Sequence, residues 1–288
     1  MIRDPLKPEP AGVVSQYPEI FARSPRERAA FWGLLAGLTA FTLYCLYTLG
    51  FFDVKRLIDG FGKLFGVVGF MLPPASHGRT LDFLSALLET LGMAFLGTLI
   101  AYLFSVPMGF VGAKNVVANP AVHFVIRRIF DVLRGVDALI WALVWINVVG
   151  LGPFAGILAI AVSNTGELSK LFSEAIENVD RKPIDGVKSA GAGAIQTVRY
   201  AMLPQVTPVI LSTTLYYFES NTRSATILGI VGAGGIGLQL ADRIRVMAWD
   251  QVSLLIIMIL VTVYFIDVLS GHIRQYFIRA PRKTKPKR

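Results

Sequence analysis

Charge is scarce in this sequence. Only 16% of its 288 residues are Asp, Glu, Lys or Arg, while 54% are hydrophobic, and ordinary soluble domains carry about a quarter charged residues. Too little charge is present to coat a water-facing surface of this length, so lipid is the expected solvent and a soluble globular protein is excluded. Cysteine is almost absent. Cys45 stands alone inside an apolar run, so no disulfide can form within the chain. The three histidines, His77, His123 and His272, lie far apart, and neither H-E-x-x-H nor C-x-x-C spacing occurs, so no metal site is expected. No G-x-x-x-x-G-K-[ST] is present either, which excludes nucleotide binding by a phosphate loop. No constellation of His, Cys and carboxylates suggests an enzyme.

What the sequence has instead is a succession of long apolar runs. Ala29 to Phe52 carries no charge through residue 52, and at 1.5 Å per residue such a run crosses a hydrocarbon core of about 30 Å. It is too long for a signal-peptide core, which makes it an uncleaved anchor. The segment from Asp53 to Asp82 mixes Lys55, Arg56 and Lys63 with Phe61, Leu64 and Phe65 ahead of Pro73-Pro74, the pattern of an interfacial helix and turn or of a core helix in a soluble cap. Phe83 to Ala113, broken only by Glu89, is a second span. Ala138 to Gly166 is punctuated by Gly150-Leu-Gly-Pro153 and divides into two, the first of them starting near His123 to Arg134. Ala201 to Phe218, opening near Pro204 and Pro208, is a fifth span. Gln251 to about Gly271 is a sixth. The expected fold class is therefore all-α, a polytopic membrane protein with six transmembrane helices.

The net charge of +9 raises the possibility of nucleic acid, so the placement of the bases decides. They flank the apolar runs. Arg23, Arg26 and Arg28, then Lys114, Arg127 and Arg128, then Arg181, Lys182, Lys188 and Arg199 lie on one side of a six-span layout, as do Arg274 and the tail from Arg279 to Arg288. The opposite loops hold fewer, mainly Lys55, Arg56, Lys63, Arg79, Arg243 and Arg245. The positive-inside rule then puts both termini and the loop after the fourth span in the cytoplasm of a cell-membrane protein, with no nucleic acid needed to explain the charge. The expected organisation is a cytoplasmic segment 1–28, a membrane domain 29–271 with a cytoplasmic loop at about 175–204, and a basic tail 272–288 that attracts anionic lipid.

That loop runs Asp185-Gly-Val-Lys-Ser-Ala-Gly191-Ala-Gly-Ala-Ile-Gln-Thr-Val-Arg-Tyr-Ala-Met-Leu203-Pro204. Ile184, Val187, Gly191, Ile195 and Val198 recur every three or four residues, which predicts a small apolar stripe on one helix face. Such a helix could simply lie on the membrane. The same residues resemble the EAA loop of importer permeases in the ATP-binding-cassette superfamily. Asp185 stands at its acidic position, Gly191 at its glycine and Leu203-Pro204 at its end. Gly186 and Val187 replace the two alanines, and Ala201 an isoleucine. Further stretches resemble the phosphonate-importer permeases: Arg134-Gly-Val-Asp137, Val149-Gly-Leu-Gly-Pro153, Lys170-Leu-Phe-Ser-Glu174, and above all Arg223-Ser-Ala-Thr-Ile-Leu-Gly-Ile-Val-Gly232-Ala-Gly-Gly-Ile-Gly237.

Gly232-Ala-Gly234-Gly-Ile-Gly237 also satisfies G-x-G-x-x-G, but a dinucleotide site needs a βαβ unit and an acid about 20 residues on, ending a strand. Asp250 precedes an apolar run instead, so the glycines are better read as allowing close helix crossing or a broken helix. The resemblance implies a type I-like importer permease fold and a homodimer with the pathway on its two-fold axis. It also implies two ATPase subunits, which bind the ATP and Mg that this chain does not, and an extracytoplasmic binding protein that delivers a phosphonate or related phosphorus oxyanion. Asp185, Gly186, Gly191, Leu203 and Pro204 would couple to the ATPase. Glu219, Asn221, Arg223, Ser224, Gly232, Gly234, Gly235 and Gly237 are the candidate pathway residues. Glu219 and Arg223 share a helix face at a spacing of four, as a structural ion pair would, yet a charge deep in a membrane span is also a candidate for function. Methionine or another small solute is the alternative cargo. A stand-alone secondary transporter would need internal repeats and intramembrane acids, and no clear repeat is visible.

Overall fold

A computed structural model describes residues 25–117 and 119–278. The expected N-terminal segment up to residue 24 and the basic tail from Arg279 lie outside the described residues. The contacts divide the chain into two compact units, between Gly66 and Val67.

The first unit holds helix α1, Pro25–Thr48, and most of α2, Val54–Phe70. The window Ala29–Thr48 of α1 is long and apolar enough to cross a membrane, and none of it is buried. A helix that is apolar around its circumference and unburied is stable only in lipid or against other spans. The segment expected to be interfacial is α2, which buries no residue.

The second unit is built on α3, Thr80–Gly112. There follow α4, Pro120–Gly135, α5, Ala138–Val149, and α6, Pro153–Glu177. The loop contains α7, Arg181–Ser189, and α8, Ala194–Thr197, which runs through a π turn into α9, Leu203–Leu228. A second π turn, Gly229–Ala233, leads to α10, Gly235–Arg245, and α11, Trp249–Ile278, closes the unit. The described residues contain no strand.

The core is a crossing of α3 on α6 made of small residues. Ala94, Gly97, Ala101, Ser105 and Gly109 lie in the buried stripe of α3, packed against Ala159, Ile160, Thr165 and Phe172 of α6, while Gly166 on α6 is pressed against Phe130, Leu133 and Arg134 of α4. Without a hydrophobic drive between helices in lipid, close approach of this kind supplies packing energy. The approach is tight: a Cβ added at Gly97 would fall 2.7 Å from Ile160 Cγ2, and one at Gly109 2.7 Å from Phe172 Cβ. Ser105 Oγ donates to the Thr165 carbonyl at 3.2 Å across the same seam. Leu168 and Phe172 of α6 continue the core to Val206 and Ile210 of α9.

Two features depart from the sequence reading. The third span is not continuous, because α4 and α5 meet at 84°. The first helix stops at Gly135, and Asp137 begins the next, its side chain accepting from the Leu139 amide at 2.8 Å as an N-cap. By length and composition three helices can cross a membrane, or five when the α4–α5 pair and the bent α8–α9/α10 pair each count as one. The remaining expected crossing, α6, carries Asn164, Glu167 and Lys170. Such polarity is tolerated at membrane depth only inside protein, and α6 has buried residues from Ala155 to Ile176.

Candidate coupling loop and translocation site

The loop starts with α7, capped by Asp180, whose carboxylate accepts from the Lys182 amide at 3.1 Å. It stops at Gly191, which has φ +82. The Gly191 amide donates to the Lys188 carbonyl at 2.9 Å, and a glycine in this left-handed conformation is a common helix terminator. The chain restarts at α8, where the Gln196 side chain accepts from the Gly193 amide at 3.0 Å. The apolar stripe expected on a single helix is thus split. Ile184, Val187 and Val198 converge on Ala201 and Met202, whereas Ile195 is 85% exposed.

Asp185, Gly186, Gly191, Leu203 and Pro204 are all exposed. A Cβ added at Gly186 or Gly191 would meet nothing within 4 Å, so these positions offer open surface. A cleft of about 330 Å³ beside them is lined by Asn115, Glu177, Arg181, Asp185 and Lys188, among others. Gln205 ties the loop to the membrane helices in both directions. Its Oε1 accepts from the Asp180 amide at 3.0 Å, and its Nε2 donates to the Asp180 carbonyl at 3.3 Å. The other end of the cleft is fastened by Glu177, which accepts from the Lys114 amide at 2.9 Å and from Arg127 at 3.0 Å. These bonds join the residue that caps α7 to the start of α9, and the end of α6 to the end of α3 and the middle of α4.

The candidate pathway residues separate into two groups. The glycines are buried: Gly232 (φ +111), Gly234 (φ +83) and Gly235 (φ +68) form the turn that breaks the span, bending it by 58°. Neighbouring elements hold this turn. The Gly152 amide donates to the Gly232 carbonyl at 3.1 Å, and Thr90 Oγ1 of α3 accepts from the Ile236 amide at 2.8 Å, satisfying a free donor of α10. Gly237 lies against the backbone of Thr226 and Gly229. Asn221 is also buried and donates to Thr98 Oγ1 at 2.8 Å.

Glu219 and Arg223 lie on a different side of α9, the second of them exposed, with half-buried Ser224 beside it. Their separation is 3.7 Å, too long for a hydrogen bond. Glu219 has a closer partner in Arg274 of α11, whose Nη2 donates to it at 2.8 Å. Arg223 approaches Asp267 of α11 at 3.5 Å. Arg274 and Asp267 were not among the sequence candidates. The one hint was that Asp267 interrupts an otherwise apolar final run, while Arg274 reads as one more base flanking its end.

A family model for the inner membrane component of binding-protein-dependent transport systems matches residues 105–282. The chain belongs to this family. It is 37% identical to the phosphite transport system permease protein PtxC of Stutzerimonas stutzeri over 82% of the chain and 85% of that protein. It is 36% identical to the phosphate-import permease protein PhnE of Mycolicibacterium smegmatis over 88% of the chain but 47% of that protein. Among solved structures, the MetNI methionine ABC transporter in an inward-facing conformation matches with a TM-score of 0.63 at 18% identity, covering 70% of this chain and 99% of that one. At that identity the likeness concerns fold alone. This permease therefore shares the all-helical importer-permease fold.

Proposed function

We propose that this permease forms the translocation pathway for phosphonates or related phosphorus oxyanions in an ATP-driven importer. It works as a homodimer with two ATPase subunits docked on the cytoplasmic loops and an extracytoplasmic binding protein that delivers the cargo. ATP and Mg act on the ATPase subunits. ATP binding draws those subunits together, and the loop from Asp185 to Pro204 passes the motion into the spans through the Gln205 clasp. The cycle alternates between outward-open and inward-open states. Both termini and this loop lie in the cytoplasm, so a reporter fused after Lys188 is expected to read cytoplasm, and one after Ala75 or Arg245 the outside. The reverse signal at Lys188 contradicts the six-span layout.

The observation that carries the cargo assignment is the Arg223 guanidinium, 47% exposed on the side of α9 away from its buried contacts. The phosphite and phosphate transport names of the relatives support it. A charge in the apolar body of a span is unfavourable against lipid and belongs beside water or protein, and the planar fork of arginine matches tetrahedral oxyanions better than the point charge of lysine. Cells dependent on this importer should grow on a phosphonate as sole phosphorus source, and Arg223→Lys should abolish that growth with the protein still in the membrane. Normal growth of the Lys variant, with Arg223→Ala failing only through loss of protein, would show a structural pair instead.

A further inference from the structure

Four charged side chains from α9 and α11 meet in the second unit, and their spacing is unequal. Arg274 Nη2 donates to Glu219 Oε2 at 2.8 Å. Arg223 reaches the other oxygen of Glu219 only at 3.7 Å and Asp267 at 3.5 Å. Arg274 is further held by the Tyr216 ring, its guanidinium carbon 6.0 Å from the ring centroid. The two arginines thus differ: Arg274 is locked on a carboxylate that is only 15% exposed, while Arg223 is loosely paired and 47% exposed. Glu219 and Arg223 sit four apart on one helix, a spacing at which a carboxylate and a guanidinium could close into a direct pair. Here Arg274 holds Oε2 of Glu219, and Arg223 stays 3.7 Å from Oε1.

We propose that Arg274 is a positioning residue: by holding Glu219 it keeps the donors of Arg223 available to an oxyanion passing along this face. This rests on the phosphorus-oxyanion reading above. An arriving oxyanion exchanges two long contacts of Arg223 for short, charge-assisted hydrogen bonds, and the weak contacts to Glu219 and Asp267 let the arginine re-pair when the anion leaves. Cargo held by five free donors would leave slowly; cargo facing a fully paired arginine would hardly bind.

The test is equilibrium binding of radiolabelled phosphite and methylphosphonate to the complete permease–ATPase complex in nanodiscs, without binding protein, so that the affinity read is that of the permease. Arg274→Gln should weaken binding about tenfold, the scale of one charge-assisted hydrogen bond lost at Arg223. Adding Glu219→Gln to it should restore binding to within about threefold of wild type, since no carboxylate then competes, and a double-mutant cycle isolates this coupling. Glu219→Gln alone should tighten binding. Arg274→Lys, which keeps a charge on Glu219, should bind like wild type, and where Arg274→Gln is poorly folded the tightening by Glu219→Gln alone carries the test. An Arg274→Gln protein that assembles normally yet leaves the binding constant unchanged, a Glu219→Gln protein that binds no tighter than wild type, or a double variant as weak as Arg274→Gln alone, overturns the proposal. A wild-type complex that binds neither anion overturns the cargo reading and this proposal with it.

Discussion

Gly237→Val should remove folded permease from the membrane, reducing its amount about tenfold or more, with Gly237→Ala changing it in the same direction. Gly237 is buried in the first turn of α10, just after the break in the fifth span. A Cβ there would overlap the carbonyl oxygen of Thr226 and come within 3.0 Å of the Gly229 Cα. Both obstacles are backbone, so no rotamer change relieves them. The Gly152 and Thr90 hydrogen bonds fix the same turn from the α5–α6 connection and from α3. Overpacking a core typically destabilises by about 1–3 kcal/mol where neighbours can adjust, and about 1.4 kcal/mol is already a factor of ten. Immunoblotting of membranes, with size-exclusion chromatography of the extracted protein, measures the outcome. Wild-type amounts of a monodisperse Gly237→Val protein would show that the turn is not packed as described.

Gly191→Trp should have the opposite profile: normal protein in the membrane, continued ATP hydrolysis by the assembled importer, and uptake reduced about tenfold or more. Gly191 has φ +82, and an added Cβ meets no atom within 4 Å. The folding penalty is therefore confined to backbone strain of about 1–2 kcal/mol for a side-chain-bearing residue in the left-handed region. A bulky ring projecting there would instead stand between the loop and a docked ATPase. Parallel measurement of ATPase activity and uptake in proteoliposomes separates coupling from assembly. Normal uptake by this variant would count against the loop as the coupling element. The two glycines make a pair of controls, one failing in folding and the other in transmission.

Sequence alone locates much of this fold. The charge-free and nearly charge-free runs correspond to α1 and α3 to within a few residues, because an apolar run of spanning length has few alternatives, while α11 begins as expected but runs on past Gly271 to Ile278. The α4–α5 break is harder to see, since Arg134-Gly-Val-Asp137 reads as the polar entry of a span. In the structure those residues form a sharp corner, with Asp137 capping the helix that leaves it. The split at Gly191 is hidden for a related reason. A recurrence of three and four residues registers apolar faces but not a positive φ between them.

The site residues were legible as residue types and not as neighbours. Nothing local indicates that Glu219 bonds Arg274, 55 positions away, more closely than Arg223, four positions away. Nor does a run of glycines declare whether it lines a path or packs backbone on backbone. Gly232, Gly234, Gly235 and Gly237 prove to be buried in the turn or just after it, while Arg223 is exposed. The charged side of α9 and the glycine turn are thus distinct parts of one broken helix.

Uptake by the reconstituted importer tests the central claim most directly. Permease, its ATPase and its binding protein would be placed in proteoliposomes and accumulation of radiolabelled phosphite and methylphosphonate followed. The account predicts accumulation that requires ATP, the ATPase subunit and the binding protein together. Failure to accumulate any phosphorus oxyanion, or equal accumulation with the ATPase omitted, would contradict it.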